Sequence, residues 1–151
     1  MNVKDLTILK LLQEDCTLSV KEIAEKIGLT FTPTYERIKQ LEKSGVIKKY
    51  VALLDRQKVN LGIVVYCSIS MKEQSKENAF LFEQTISKYN EVQDVVSTSG
   101  DCDYLVKIIA TDINSYNDFV MNVISEIPSI GKINSSIVLN EIKSSTSLKL
   151  D

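Results

Sequence analysis

Two stretches of this 151-residue chain gather side chains able to do chemistry. Thr30, Thr32, Thr34, Tyr35, Glu36, Arg37, Lys39, Lys43, Lys48 and Lys49 fall close together and mix hydroxyls with cations. Cations at that density suit a polyanion, because Arg and Lys bind phosphate oxygens through charge-assisted hydrogen bonds. The second stretch is Ser99-Gly-Asp-Cys-Asp-Tyr104. A glycine-bearing loop leaves backbone N–H groups free for a small carboxylate, and Asp101 or Asp103 can then meet an ammonium. The same residues also suit a plain hairpin, with Gly100 supplying the turn and an Asp capping it.

What the chain lacks narrows the chemistry further. It has no histidine. That removes Ser-His-Asp and Cys-His nucleophiles, His general bases and His-ligated metals. No phosphate-cradling glycine motif and no His-Glu-x-x-His motif occurs, so neither enzyme activity nor a cofactor or metal is expected. Asp101 and Asp103 share one short loop with no cleft implied, which argues against a glycosidase pair. Cys16, Cys67 and Cys102 are odd in number and widely spaced, as suits neither a disulfide framework nor a zinc site. Cys102, flanked by two carboxylates, makes a poor nucleophile, and Cys16 and Cys67 read as small apolar residues.

Charge is divided along the chain. Residues 1–58 carry 11 Lys/Arg against 8 Asp/Glu, and residues 59–151 carry 7 against 12. A mildly basic head on an acidic body is consistent with a head that meets a polyanion. No apolar run reaches the roughly 18 residues of a membrane span. The opening Met1-Asn-Val-Lys-Asp5 lacks the apolar core of a signal peptide, so a cytoplasmic protein is expected.

The elements that must position these residues follow from periodicity and caps. Val3, Leu6, Leu9 and Leu12 stripe a first helix. Ser19 and Glu22 form a capping box before a second helix, Val20 to about Ile27, closed by Gly28. Thr30 or Thr32 caps a third, from about Phe31 to Ser44, with Thr34, Ile38 and Leu41 on its core face. Helices two and three, joined across Gly28-Leu-Thr30, make a helix-turn-helix. Residues 46–50 read as a short strand or wing. Beyond a linker, the pattern is strand (Ile63–Met71), helix (Ala79, Phe82, Ile86, Tyr89) and strand (Val92–Thr98), then strand (Tyr104–Ala110), helix (Ile113 to Ile127) and strand (Ile133–Lys143). The fold class is therefore α+β: an N-terminal (winged) helix-turn-helix domain over 1–49, a linker strand or hinge over 50–61, and a ferredoxin-like βαββαβ domain over 62–151. The Ser/Thr run 144–147 reads as a loop before the apolar tail Leu148-Lys-Leu150. Both sheet faces carry apolar residues while the helices cover one, so a second copy of the chain is expected on the other.

Three segments together resemble the Lrp/AsnC (feast/famine) family of prokaryotic transcription regulators. They are Ser19-Val-Lys-Glu-Ile-Ala-Glu-Lys-Ile-Gly-Leu-Thr30, Thr32-Pro-Thr-Tyr-Glu-Arg-Ile-Lys-Gln-Leu-Glu-Lys-Ser-Gly-Val-Ile47 and Ser99-Gly-Asp-Cys-Asp-Tyr-Leu105. The resemblance implies a regulator binding double-stranded DNA through the third helix. Thr32, Tyr35 and Glu36 would face bases or sugars and Arg37, Lys39, Lys43, Lys48 and Lys49 phosphates, with Thr30 and Thr34 counted in the same DNA-binding set. Arg37 could instead pair with Glu36 or Glu42. Phe31 is assigned no role. The resemblance also implies an amino-acid effector held between neighbouring dimers by Gly100, Asp101, Asp103 and Tyr104, with Ser135 and Ser136 nearby. A homodimer assembling to a tetramer or octamer, with no membrane partner, goes with it. The alternatives are an architectural DNA-binding protein with no effector, in which loop and serines are structural only, and an enzyme built on the ferredoxin-like domain.

Overall fold

The computed structural model describes residues 2–151 and divides into two compact units, one reaching to Leu53 and including Ile142–Asp151, the other Leu54–Glu141. In the first unit Asn2 and Asp5 form a capping box at the start of α1 (Val3–Glu14). The box expected at Ser19 and Glu22 opens α2 (Val20–Ile27), each partner satisfying the other's backbone N–H. Gly28 ends that helix at φ 65°, a left-handed conformation that costs glycine nothing. The Lys4 ammonium donates to the Ile27 carbonyl, placing a cation at the helix's negative end. Thr30 takes the N-cap position of α3 (Phe31–Lys43), so of the two threonines it is the outer one that starts the helix. Ile8, Leu9, Ile23, Ile27, Ile38 and Leu41 form the unit's core, and Leu150 packs against it from the tail.

Residues 46–50, read as a strand or wing, join no ladder among the described residues. Ile47 donates to the Leu41 carbonyl at 3.1 Å, which tucks the segment under α3 instead. A strand needs a neighbouring edge to satisfy alternate backbone groups, and among the described residues this unit offers none.

The second unit starts with a single 3₁₀ turn (Gln57–Val59). Then come β1 (Ile63–Met71), α4 (Lys76–Ile86), β2 (Val92–Ser97), β3 (Tyr104–Ala110), α5 (Ile113–Phe119) and β4 (Ile130–Ile137). The sheet order is β2-β3-β1-β4 with every pair antiparallel, the ferredoxin-like arrangement. After α5 the chain widens into a π turn, Val120–Ile124, so the expected long helix is two pieces. The helices cover one face, burying Val65, Cys67, Ile69, Tyr104, Val106 and Ile108 against Phe82, Ile86, Tyr116, Phe119 and Ile124.

The last strand lies earlier than its apolar pattern suggested, at Ile130–Ile137 instead of Ile133–Lys143. Its ladder with β1 runs from the Met71–Ile130 pair to the Val65–Ile137 pair, and one last bond, the Val138 N–H to the Val64 carbonyl at 2.9 Å, closes the pairing. On the opposite face Val64 is already buried in the single chain, while Tyr66 and Val96 stand exposed. Leu105 and Ile109 are half-buried beside them.

Candidate DNA-binding helix and effector loop

Helix α3 is amphipathic, so fixing Thr34, Ile38 and Leu41 inward turns Phe31, Thr32, Tyr35, Glu36, Lys39 and Gln40 to solvent. The Phe31 and Tyr35 rings stack with centroids 6.1 Å apart and planes 7° from parallel. Lys39 sits 5.7 Å from the Tyr35 ring centroid and donates to Glu42 at 2.7 Å. One turn after another, an aromatic pair thus leads to a cation and its carboxylate along the outer ridge. Phe31, given no role from sequence, is 55% exposed, a state an apolar ring adopts at a cost unless something covers it. Helical spacing (i, i+4, i+8) was the signal that could have joined it to Tyr35 and Lys39.

Thr34 must leave the set of DNA-facing residues. It is 0% exposed, and its hydroxyl donates to the Thr30 carbonyl at 2.9 Å. Arg37 is half-buried and bonds Asp5 of α1 at 2.8 Å, not Glu36 or Glu42. The Asn2 backbone N–H, with Arg37 adding to it, holds the Asp5 carboxyl below its ordinary range. Lys43, Lys48 and Lys49 are exposed and, among the described residues, have no carboxylate within ion-pair distance. Thr30 is exposed at the helix start.

In the loop after β2, Asp103 is consumed by the fold. Its carboxylate accepts from the Met71 N–H at 2.7 Å and the Gln74 amide at 2.6 Å, while its own N–H donates to Ile69 at 3.0 Å. Thr98 closes the turn, its N–H donating to the Asp103 carbonyl and its hydroxyl to that of Cys102. Gly100 and Asp101 stay exposed at the tip. Two carboxylates that look alike in sequence therefore differ in role: one fastens the loop and the other is free.

Tyr104 does not face outward either. It is 5% exposed, its ring tilted 43° against that of Phe82 with centroids 4.5 Å apart and its hydroxyl donating to Glu83 at 2.8 Å. Burial, then the Glu83 carboxylate, pushes its phenol up to about 12. Ser135 and Ser136 part company as strand neighbours must. The Ser135 hydroxyl is bonded to the buried Tyr116 hydroxyl, itself 2.9 Å from the Cys67 sulfur. Burial, then the Cys67 contact, raises the Tyr116 phenol. Ser136 lies opposite Tyr66 on the other face. Strand β1 separates β4 from β3 and its loop, so within one chain the serines and the loop tip flank different edges of β1.

Comparison with known proteins adds to this geometry. Residues 1–48 match the winged helix-turn-helix DNA-binding family, and residues 64–148 match the Lrp/AsnC ligand binding domain. The DNA-binding transcriptional activator DecR of Escherichia coli K12 is 34% identical over 147 residues, 97% of each chain. The glutamate uptake regulatory protein of Zymomonas mobilis is 36% identical over 146 residues, covering 97% of this chain and 88% of its own. Among solved structures, a transcriptional regulator from Neisseria meningitidis in complex with L-Met is similar with a TM-score of 0.96 and 34% identity, over 100% of this chain and 97% of that one.

Proposed function

The chain belongs to the Lrp/AsnC family of DNA-binding transcription regulators, and we propose that it grips operator DNA through the outer ridge of α3 and takes a small amino acid at the Gly100–Asp101 loop tip. Base and sugar contact falls to Thr30, Thr32, Tyr35 and Glu36, joined by Phe31. Lys39, Lys43, Lys48 and Lys49 supply phosphate contacts, with Arg37 contributing only the guanidinium edge that Asp5 leaves free. The operating regions are 1–49 for DNA, 50–61 as linker and 62–151 for sensing, although the last ten residues pack with the first unit.

One observation carries the sensing half of this reading: Asp103 is tied to Met71 and Gln74, which fastens the base of the loop and leaves Asp101 exposed at its tip with no partner among the described residues. Backbone N–H groups at the tip take the effector carboxylate and Asp101 its ammonium. Names of relatives point to amino acids as the effector class: one structure holds L-Met, and others are called leucine-responsive. The sheet face bearing Tyr66, Val96, Leu105 and Ile109 buries against a second copy, and further assembly to a tetramer or octamer brings Ser136 of one chain within reach of another's loop. No catalysis belongs to this reading, and the cytoplasm, where the DNA is, is the compartment it requires.

Two titrations test it. Operator binding measured against rising salt should weaken steeply, since several phosphates are neutralised. Calorimetry with a panel of L-amino acids should give saturable binding that weakens by about tenfold to a hundredfold in Asp101→Ala. Salt-insensitive binding refutes the first half. Absence of any binding by the panel leaves the architectural, effector-free protein.

A further inference from the structure

We propose that residues Ile142–Asp151 are a strap that fastens the end of β4 to α1, a second mechanical connection from the ligand-binding domain to the DNA-binding unit. The family match to the ligand-binding domain runs to residue 148, yet Ile142–Asp151 pack with the DNA-binding unit. The anchor has two parts. The Gln13 side chain on α1 reads the backbone of Leu148 in both directions, accepting its N–H at 2.7 Å and donating to its carbonyl at 3.1 Å. Two residues on, Leu150 packs against the apolar cluster that holds Ile8, Leu9 and Ile38. An amide that satisfies both backbone groups of one residue, followed by an apolar foot, is how an extended segment offsets the entropy of being ordered.

Chain connectivity makes this anchor mechanical. The chain passes between the units at Leu53–Leu54 and returns at Glu141–Ile142. Arg56 and Glu141, just on the ligand-binding side of those crossings, are joined by an ion pair of 2.6 Å. From Glu141 the covalent reach to Leu148 is at most about 25 Å, a tether of bounded length for as long as the tail stays anchored. Movement handed to α1 passes to α3 through the Asp5–Arg37 ion pair. A rearrangement of β4, the strand carrying Ser135 and Ser136, thus has a path to the DNA-reading helix that bypasses the linker. What travels along the strap rests on the amino-acid reading above; the strap itself does not.

The test uses full-length Gln13→Ala and Leu150→Ala, plus a chain ending at Lys143, with hydrogen exchange and DNA titration as readouts. Loss of the anchor should speed exchange of the α1 amides by about tenfold in all three, and of the Leu148 N–H likewise in the two full-length variants. DNA affinity without amino acid should stay within about threefold of the parent, while the change in affinity on adding amino acid drops to near none. Unchanged exchange in all three variants means the tail is not anchored and overturns the strap. Faster exchange with an undiminished amino-acid response overturns its role in coupling. Should the parent's DNA binding ignore every amino acid, the sensing reading fails on its own, and exchange alone then upholds or removes the strap.

Discussion

At the residue scale, Asp101 and Asp103 show how little a side chain's type says about its task. Asp103 supplies both oxygens to donors at the end of β1 and just beyond it, Met71 and Gln74, whereas Asp101 is exposed to solvent. Asp103→Ala strands a half-buried backbone N–H and an amide, so it should cost about 1.5–3 kcal/mol and lower the melting temperature by roughly 5–15 °C. Asp101→Ala should leave melting nearly unmoved and weaken amino-acid binding by about tenfold to a hundredfold. Calorimetry and thermal melts on the two variants decide the matter, and interchanged behaviour would reverse the assignment. On the DNA side, Lys48→Ala and Lys49→Ala should each flatten the slope of log affinity against log salt by about 1, equally for specific and random DNA. Thr34→Val belongs to a different class: its methyls fit the core, and its effect should be on stability, with operator preference intact.

At the scale of elements, β3 and α4 are locked by the Tyr104–Glu83 hydrogen bond in the buried layer. The Tyr104 phenol titrates near 10 when unfolded and at about 12 when folded. A raised folded value means the neutral form is favoured in the native state, so this stabilisation is whole below pH 10 and is lost as pH rises toward 12. Tyr116, beneath β4, is shifted the same way and adds to the loss. Denaturant melts across that range should show stability falling, and Tyr104→Phe should make the fall shallower while costing about 1 kcal/mol at neutral pH. An equal fall in the variant would put the alkaline sensitivity elsewhere. The loop between β1 and α4 belongs to the same layer, held by Asp103 on one side and by the Lys72 N–H to Ser129 carbonyl bond on the other. Gly131 fits there because a Cβ would approach the Lys72 backbone to 3.1 Å.

For the molecule as a whole, the uncovered sheet face sets the expectation of assembly. Tyr66 and Val96 are exposed beside half-buried Leu105 and Ile109, a patch on one face that a second copy related by a twofold axis would cover. Sedimentation of the full chain at micromolar concentration should give at least a dimer. Tyr66→Asp with Val96→Asp should return it to single chains, because burying two unpaired carboxylates costs more than the patch contributes. Cooperative operator binding should fall with it, since linked heads bind DNA at a high effective concentration and separate ones do not. A dimer that survives both aspartates would move the interface off this face.

Local patterns were enough to delimit α2, β1 and β3, whose ends agree with capping, glycine and alternation to the residue. A cap acts within four residues and a strand's alternation within two, so the information lies beside the structure it specifies. The motifs of the family were legible for the same reason, as were the solvent-facing threonine, tyrosine and lysines of α3. What needed a partner from elsewhere was not. Tyr104 looks like surface chemistry until packing buries it, whereas helical spacing had already put Thr34 on the core face, and Arg37 chose Asp5 from another helix over its own neighbours. The end of β4 falls where its pairing with β1 closes, and the segment after α3 lacks a strand because no edge meets it. Asp103 finds Met71 across 32 positions and Gln13 finds Leu148 across 135. Such pairings depend on which surfaces the fold brings together once loop-closure entropy has been overcome, so only the tertiary structure could separate the two aspartates or reveal the docked tail.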